Sequence, residues 1–435
     1  MRTFRSKIPL LSYYFLMLAS CFQQGCRDIS SLHDESSQIS SLSSHPIKVE
    51  DETESNETAT PSESSDILSL SSFAPGINIA WVDFAHDVGT GTPKLDEIEK
   101  QLTQLSAAGG KVARLWVHTD GSLTPQFRGN RVVGPGVSTI SDLKKILDLA
   151  EAQNIKLMLT LWSFDMIRAE MKKTNPERVH RNRLLLTESS YLKDYIKYSL
   201  NPMVKALQDH PALHSWDICN EPEGMTTNEA WGNIEPSDRV EITDLQEFIN
   251  KTAGAIHSIA PQNKVTVGAV SFKYLAAQGP QGNIYKDSAL IAQGGDSKGT
   301  LDFYQGHHYA KIGAEWSPFQ NHVKDFGLDK PTLVGEFDMK EYLDYGTTSP
   351  RQLYQKLHQQ GYVGALGWKD GAIPALQVML TAINSLYYTA PRETQANACS
   401  KFQGGFGKPF FSGTKLYRNR IDKDSPTAEG WCLVD

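Results

Sequence analysis

Along residues 73–390, apolar positions recur in two alternating rhythms: short β-rich runs, and longer stretches repeating at three- and four-residue steps. The short runs predict strands over Ile77–Trp81, Val112–Val117, Lys156–Leu161, Leu213–Cys219, Val265–Val270, Phe303–His308, Thr332–Gly335 and Val363–Trp368. The amphipathic stretches predict helices over Leu95–Ala108, Ile140–Gln153, Tyr191–Leu207, Ile242–Ile259 and Arg351–Gln360. Strands alternating with helices imply a parallel sheet with crossover helices. Eight strand candidates in one such domain imply an α/β fold, a single closed eight-stranded βα (TIM) barrel. An open doubly wound sheet is the competing architecture, but no Gly-rich phosphate loop follows the first strand.

The rhythm fails at both ends. In residues 1–20, Arg2, Arg5 and Lys7 precede an apolar run, Ile8–Ala19, too short to span a bilayer comfortably, which is the layout of a signal peptide. Leu18-Ala19-Ser20-Cys21 resembles a bacterial lipobox, which would make Cys21 the lipidated mature N-terminus; an ordinary cleaved secretory signal is the other reading. Both predict export, either as a secreted protein or as a lipoprotein anchored on the extracytoplasmic side. Residues 21–72 are Ser/Glu-rich with few aromatics, so they are expected to form a disordered tether. Residues 391–435 read as a C-terminal extension of coil packed onto the barrel, which a Cys399–Cys432 disulfide could close.

Composition narrows the class of partner. Hydrophobic residues at 40% and charged residues at 21% are ordinary for a globular protein. A net charge of -7, with no Lys/Arg cluster interleaved with aromatics, argues against nucleic acid. No pair among the five cysteines has zinc-ligand spacing, so no metal or other cofactor is expected, and Cys219 reads as a small buried residue. His307-His308 lacks a spaced third ligand. The protein is expected to be a monomer.

Barrel chemistry sits at the C-terminal ends of the strands, so the polar residues that end them are the candidates. The fourth strand runs from His214-Ser215-Trp216 into Asn220-Glu221-Pro222, and the seventh ends Val334-Gly335-Glu336-Phe337. Two glutamates brought to one mouth suit hydrolysis of a glycosidic bond, where one arrives protonated and the other attacks. Two carboxyls about 5 Å apart cannot both ionise cheaply. Arg114 shares one alternating face with Trp116 and His118, and an inward arginine would lower the pKa of a carboxylate beside it. Each glutamate alone could instead cap the helix that follows it, and His118 could be a satisfied buried histidine. Trp81, Trp116, Trp162 and Trp231 could each be packing; of these, Trp162 is the one expected to serve as a sugar platform.

Together these residues resemble glycoside hydrolase family 5. The Asn220-Glu221-Pro222 turn, Glu336, Arg114, His307-His308-Tyr309 and Trp368 occur in that family's order, and the likeness covers most of residues 76–385. The stretches GINIAWVD (76–83), RLWVHTDG (114–121), PMVKALQDHPAL (202–213) and WDICNEPEG (216–224) look most like its endo-β-1,4-mannanases, of the kind known from molluscs and bacteria. The resemblance implies Glu221 as acid/base and Glu336 as nucleophile, with retained anomeric configuration. It further implies Asn220 on the sugar 2-hydroxyl, Arg114 and Tyr309 holding Glu336 ionised, His307 shaping the cleavage subsite and Trp368 as stacking floor. Ser163, where those enzymes usually carry Asn, and Lys369 depart from the pattern. A β-1,4-glucanase or transglycosylase on the same barrel, and a glycan-binding surface lipoprotein that does not cut, are the competing functions.

Overall fold

The structure, a computed structural model, describes residues 73–229, 234–368 and 373–387, together with the backbone of 415–420 and 429–434. Eight parallel strands close a barrel: β1 (Ala74–Ala80), β2 (Val112–Thr119), β3 (Lys156–Ser163), β4 (Leu213–Asn220), β5 (Lys264–Ala269), β6 (Tyr304–His308), β7 (Thr332–Phe337) and β8 (Gly364–Trp368). Each lies where an apolar run predicts it, and β8 closes on β1, with Ala74 beside Gly364.

Helices α1 (Leu95–Ala107) and α2 (Thr139–Ala152) fall on predicted segments. The predicted helix over Tyr191–Leu207 is instead α5 (Ser189–Tyr195) and α6 (Asn201–Leu207), joined by a π turn at Ile196–Leu200. Pro202, which has no N–H to continue the ladder, stands two residues past that turn, in the first turn of α6. Before α5 lie two helices the periodicity does not predict, α3 (Ala169–Thr174) and α4 (Pro176–Thr187). Charged residues blur their apolar face, yet Asn175 caps α4 by accepting from Arg178 N at 3.0 Å, ahead of Pro176. Further along come α7 (Ile242–Ile259), α8 (Asp287–Gly294), α9 (Leu353–Gln359) and α10 (Ile373–Ser385), of which α7 and α9 are predicted.

Residues 1–72, with the signal segment, Cys21 and the tether, lie outside the described residues, as do Trp231, Lys369 and Cys399. Within 391–435, read from the sequence as coil, Lys415–Arg420 pairs antiparallel with Glu429–Val434. Its apolar runs are too short to show a strand rhythm. No helix among the described residues is long and apolar enough to cross a membrane.

The larger core lies between strands and helices. There Ile98, Leu102 and Leu105 of α1, Leu143 and Ile146 of α2, and Phe248 and Ile256 of α7 are buried against outward strand residues. A second cluster, Val112, Met158, Phe303, Leu333 and Leu366, gathers residues near the starts of five different strands. Side chains from strands around the barrel meet only inside it, so this cluster plugs the lower end and leaves the upper interior to polar groups.

Gly76 marks how tightly β1 is held. A Cβ there would lie 1.9 Å from Val112 O and 2.6 Å from Leu366 Cδ2, while Gly76 O accepts from Tyr354 OH of α9 at 2.7 Å. Because a backbone carbonyl blocks the space, Gly76→Ala should cost about 3 kcal/mol or more of stability. Denaturant unfolding checks this; an unchanged midpoint would contradict the packing described.

Candidate active site

Strict alternation would not aim the functional side chains correctly; bulges do. Between β4 and β5, Asp217 pairs with Thr266 but Asn220 with Gly268, so the strand carries an extra residue before the mouth. Between β6 and β7, Gly306 pairs with Val334 and His307 with Glu336, leaving Gly335 out of step and Glu336 turned inward. A further shift between Trp116 and Thr119 on β2 separates His118 from Arg114 and Trp116. His118 packs on Trp162 and on Tyr195 of α5, with ring centroids 5.0 and 5.8 Å away, and burial lowers its pKa to about 3. The expected common face of Arg114, Trp116 and His118 thus holds for the first two.

Arg114 organises the site. Its Nε donates to Asp217 Oδ2 at 2.8 Å, and Nη2 lies 2.7 Å from the same oxygen. Nη1 donates to Glu336 Oε1 at 2.6 Å and to Asn78 Oδ1 at 3.1 Å, while Nη2 also donates to Asn220 Oδ1 at 2.9 Å. Burial works against its charge, but Asp217 and Glu336 outweigh that and keep the guanidinium protonated. Tyr309 OH donates to the other oxygen of Glu336 at 3.0 Å. Because Arg114 must meet an oxygen, the Asn220 amide is oriented with Nδ2 as its remaining donor.

Glu221 follows β4 in a left-handed conformation, φ 48°, its N–H donating to Gly268 O at 2.7 Å. His307 Nδ1 lies between the two glutamates, 2.9 Å from Glu221 Oε1 and 3.5 Å from Glu336 Oε2. Burial raises both carboxyls, but unequally. Glu221 is lifted furthest, by burial and then by the charges of Glu336 and Glu223. Glu336 is lifted by burial but held back by Arg114 and Tyr309. His307 is kept neutral by burial and by Arg114. Glu221 is therefore the carboxyl that retains a proton and Glu336 the one that ionises.

The aromatic residues divide. Trp368 and Trp81 are partly exposed at the mouth, their centroids 5.7 Å apart, with the buried Trp116 ring 6.0 Å from Trp368. Trp162 is 0% exposed, wedged against His118 and Tyr195, and so offers no ring face to a sugar; this corrects its expected role as platform. Ser163 is also fully buried: its Oγ donates to Asp165 Oδ2 at 2.6 Å at the start of the turn Phe164–Ile167. Sequence reasoning missed Asn78, Asp217, Thr160 and Gln305, although a lone Asp or Asn inside an apolar strand is itself a signal of an inward polar contact.

Oxygen or nitrogen atoms of Glu221, His307 and Glu336 approach within 4.8 Å of one another, as at a metal centre, but Arg114 already supplies the countercharge to Glu336. A surface group, Asp148, Glu151 and His210, is similarly close. There His210 Nδ1 accepts from Ala212 N at 3.2 Å, which leaves Nε2 protonated toward Asp148 and unfit to ligate.

A protonated and an ionised carboxyl facing each other across a barrel mouth, with an aromatic wall beside them, define a glycosidase. Residues 74–371 match the family described as Cellulase (glycosyl hydrolase family 5), and the chain belongs to that family. It is 31% identical over 316 residues to a mannan endo-1,4-beta-mannosidase of Mytilus edulis, covering 68% of this chain and 83% of that protein. A mannan endo-1,4-beta-mannosidase of Cryptopygus antarcticus is 32% identical over 319 residues, covering 68% and 80%. The solved endo-1,4-beta-mannanase of Eisenia fetida aligns with TM-score 0.65 at 32% identity, over 74% of this chain and 92% of that one.

The Tyr309 bond to Glu336 makes a prediction with a definite sign. Tyr309→Phe removes a donor that favours the carboxylate, so the acid limb of the kcat/KM profile should move to higher pH. Below neutrality kcat/KM should fall roughly 10- to 100-fold, the worth of one hydrogen bond to a charged group. An acid limb left in place would exclude Glu336 as the ionised partner.

Proposed function

We propose that the protein is a retaining endo-β-1,4-mannanase, with Glu336 as nucleophile and Glu221 as acid/base. The observation that carries this reading is the approach of the two carboxylates, whose nearest oxygens fall within 4.8 Å. That suits direct attack on the anomeric carbon, for which carboxyls stand ~5 Å apart, rather than the ~6.5–9.5 Å that leaves room for a water.

In the first step Glu336 attacks the anomeric carbon while Glu221 passes its proton to the glycosidic oxygen, and the carbon–oxygen bond breaks. Glu336 is then a neutral ester, so the charge opposing ionisation of Glu221 is gone and Glu221 rests as a carboxylate. In the second step Glu221 takes a proton from water, whose oxygen attacks the same carbon and frees Glu336 with configuration retained. Asn220 Nδ2 meets the sugar 2-hydroxyl in this reading, a contact that strengthens in the oxocarbenium-like transition state, and the partly exposed Trp368 is its stacking floor. His307, between the two glutamates, shapes the cleavage subsite. Mannan as substrate is supported by the relatives, which carry that activity in their names. The N-terminal basic and apolar segment supports export, with an acyl mass on Cys21 as the mark of a lipid anchor.

The test is release of reducing ends from β-mannan, glucomannan, carboxymethylcellulose and β-glucan by the purified protein. Cleavage of the first two is expected; activity confined to the last two would overturn the substrate, and none on any would revive a binding protein. Glu336→Ala should lose on the order of 10⁴-fold or more in kcat, and azide should then restore turnover of an activated substrate with inverted product. Azide rescue of Glu221→Ala with inversion would mean the roles are exchanged.

A further inference from the structure

We infer that Glu223, which cannot touch the substrate, is a positioning residue for the acid/base: its carboxylate pins the turn that presents Glu221 and, when ionised, places a negative charge behind it. This rests on Glu221 being the acid/base. Glu223 is 0% exposed in the turn Pro222–Met225. Its Oε1 accepts from Tyr285 OH at 2.6 Å and its Oε2 from Val270 N at 3.1 Å, both on the connection that follows β5. The main chain of the turn is tied as well, Gly224 N donating to Glu221 O at 3.1 Å and Thr226 Oγ1 to Glu223 O at 2.8 Å. A non-glycine residue held at φ 48° persists only where its surroundings over-determine it, and Glu223 supplies the tie from the turn to the neighbouring loop.

Tethering alone does not call for an acid. Both donors to Glu223 are neutral, and a glutamine would fill the same space without the cost of burying a charge that no bonded cation offsets. The charge has a use in the reaction. The groups that act on Glu221 are Glu336 from β7, Glu223 from its own turn, Arg114 from β2, His307 from β6 and Lys311 from the turn after β6. Those around Glu223 are Tyr285, Tyr274, Glu229 and Cys219. When Glu336 becomes an ester its charge vanishes, and of the two acids that lift Glu221 only Glu223 persists. It favours the proton on Glu221 when acid is needed, and it strengthens Glu221 as a base when water must be activated. Burial brings Glu223 itself to about 7, with Tyr285 and Val270 limiting the rise, so its charge grows through neutrality and is present on the alkaline side.

Glu223→Gln keeps the shape and removes the charge. The wild type is first measured on β-mannan; if it releases nothing there, the proposed function fails, whatever Glu223 does. With an active wild type, Glu223→Gln should shift the alkaline limb of kcat/KM down by roughly half a pH unit or more. Its loss in turnover on the alkaline side of neutrality should be at least fivefold greater on mannan than in the burst of a dinitrophenyl mannobioside, whose leaving group needs no proton. Tyr285→Phe should move the same limb in the same direction by less, because Glu223 loses a donor and ionises less readily. If Glu223→Gln does not fold, the Tyr285→Phe profile decides. An alkaline limb that stays in place, or equal losses on both substrates, would overturn the inference and leave Glu223 a structural tie only.

Discussion

Arg114 is fully buried, and its guanidinium takes acceptors from three other strands: Asn78 on β1, Asp217 and Asn220 on β4, and Glu336 on β7. A buried cation costs several kcal/mol in lost solvation unless such partners surround it, and removing one of them strands the rest. Asp217 also accepts from Thr160 on β3, Gly268 N on β5 and Gln305 on β6. Asn78 Nδ2 donates onward to Gly335 O and to Leu366 O on β8. One polar network therefore touches all eight strands. The interaction that closes the barrel's upper interior is the one that favours the ionised form of Glu336, so stability and the charge of the site are not separable.

The asymmetry of that network sets the two glutamates apart electrostatically. Arg114 and Tyr309 both bond Glu336, while Glu221 faces the neutral His307 and a second acid two residues along its own turn. Two carboxyls in one low-dielectric mouth would otherwise share a proton without preference. The glycines beside them are part of the same arrangement. A Cβ at Gly268 would meet Arg114 Nη2 and Gln305 Nε2 at 2.8 Å and His307 Nε2 at 2.9 Å, and one at Gly335 would meet His307 Nε2 at 2.9 Å. No side chain at either position leaves His307 between the acids.

Rhythm made the barrel legible. All eight strands follow from runs buried on both faces, and such runs survive small errors in register. Glu221 and Glu336 could be read because each directly ends an apolar run. Bulges could not be read from rhythm: the shifts at Asp217–Asn220, Trp116–Thr119 and Gly335 decide which neighbours turn inward, and alternation carries His118 to the wrong face. Trp162 failed for a related reason. Its place at a strand end suited a platform, but the helical segment around Tyr195, where the chain bulges into a π turn, covers its ring.

The burial of Ser163 bears on how specificity is distributed. Its difference from the mannanase pattern caps a turn beneath the surface, with the Ser163 hydroxyl spent on Asp165. Gluco- and manno-configured rings differ at the 2-hydroxyl, and under the proposed function the group that meets that hydroxyl is Asn220, whose orientation is imposed by Arg114. Reversing the amide would set an NH₂ against a guanidinium and lose a bond to a charged donor, worth about 1.5–3 kcal/mol. The remaining donor of Asn220 is thus fixed from below, by the same cation that charges Glu336. On that proposal, discrimination between epimers depends on how far the Trp368 face holds the ring from Asn220, and the Trp368 ring is itself packed against Trp81 and Trp116.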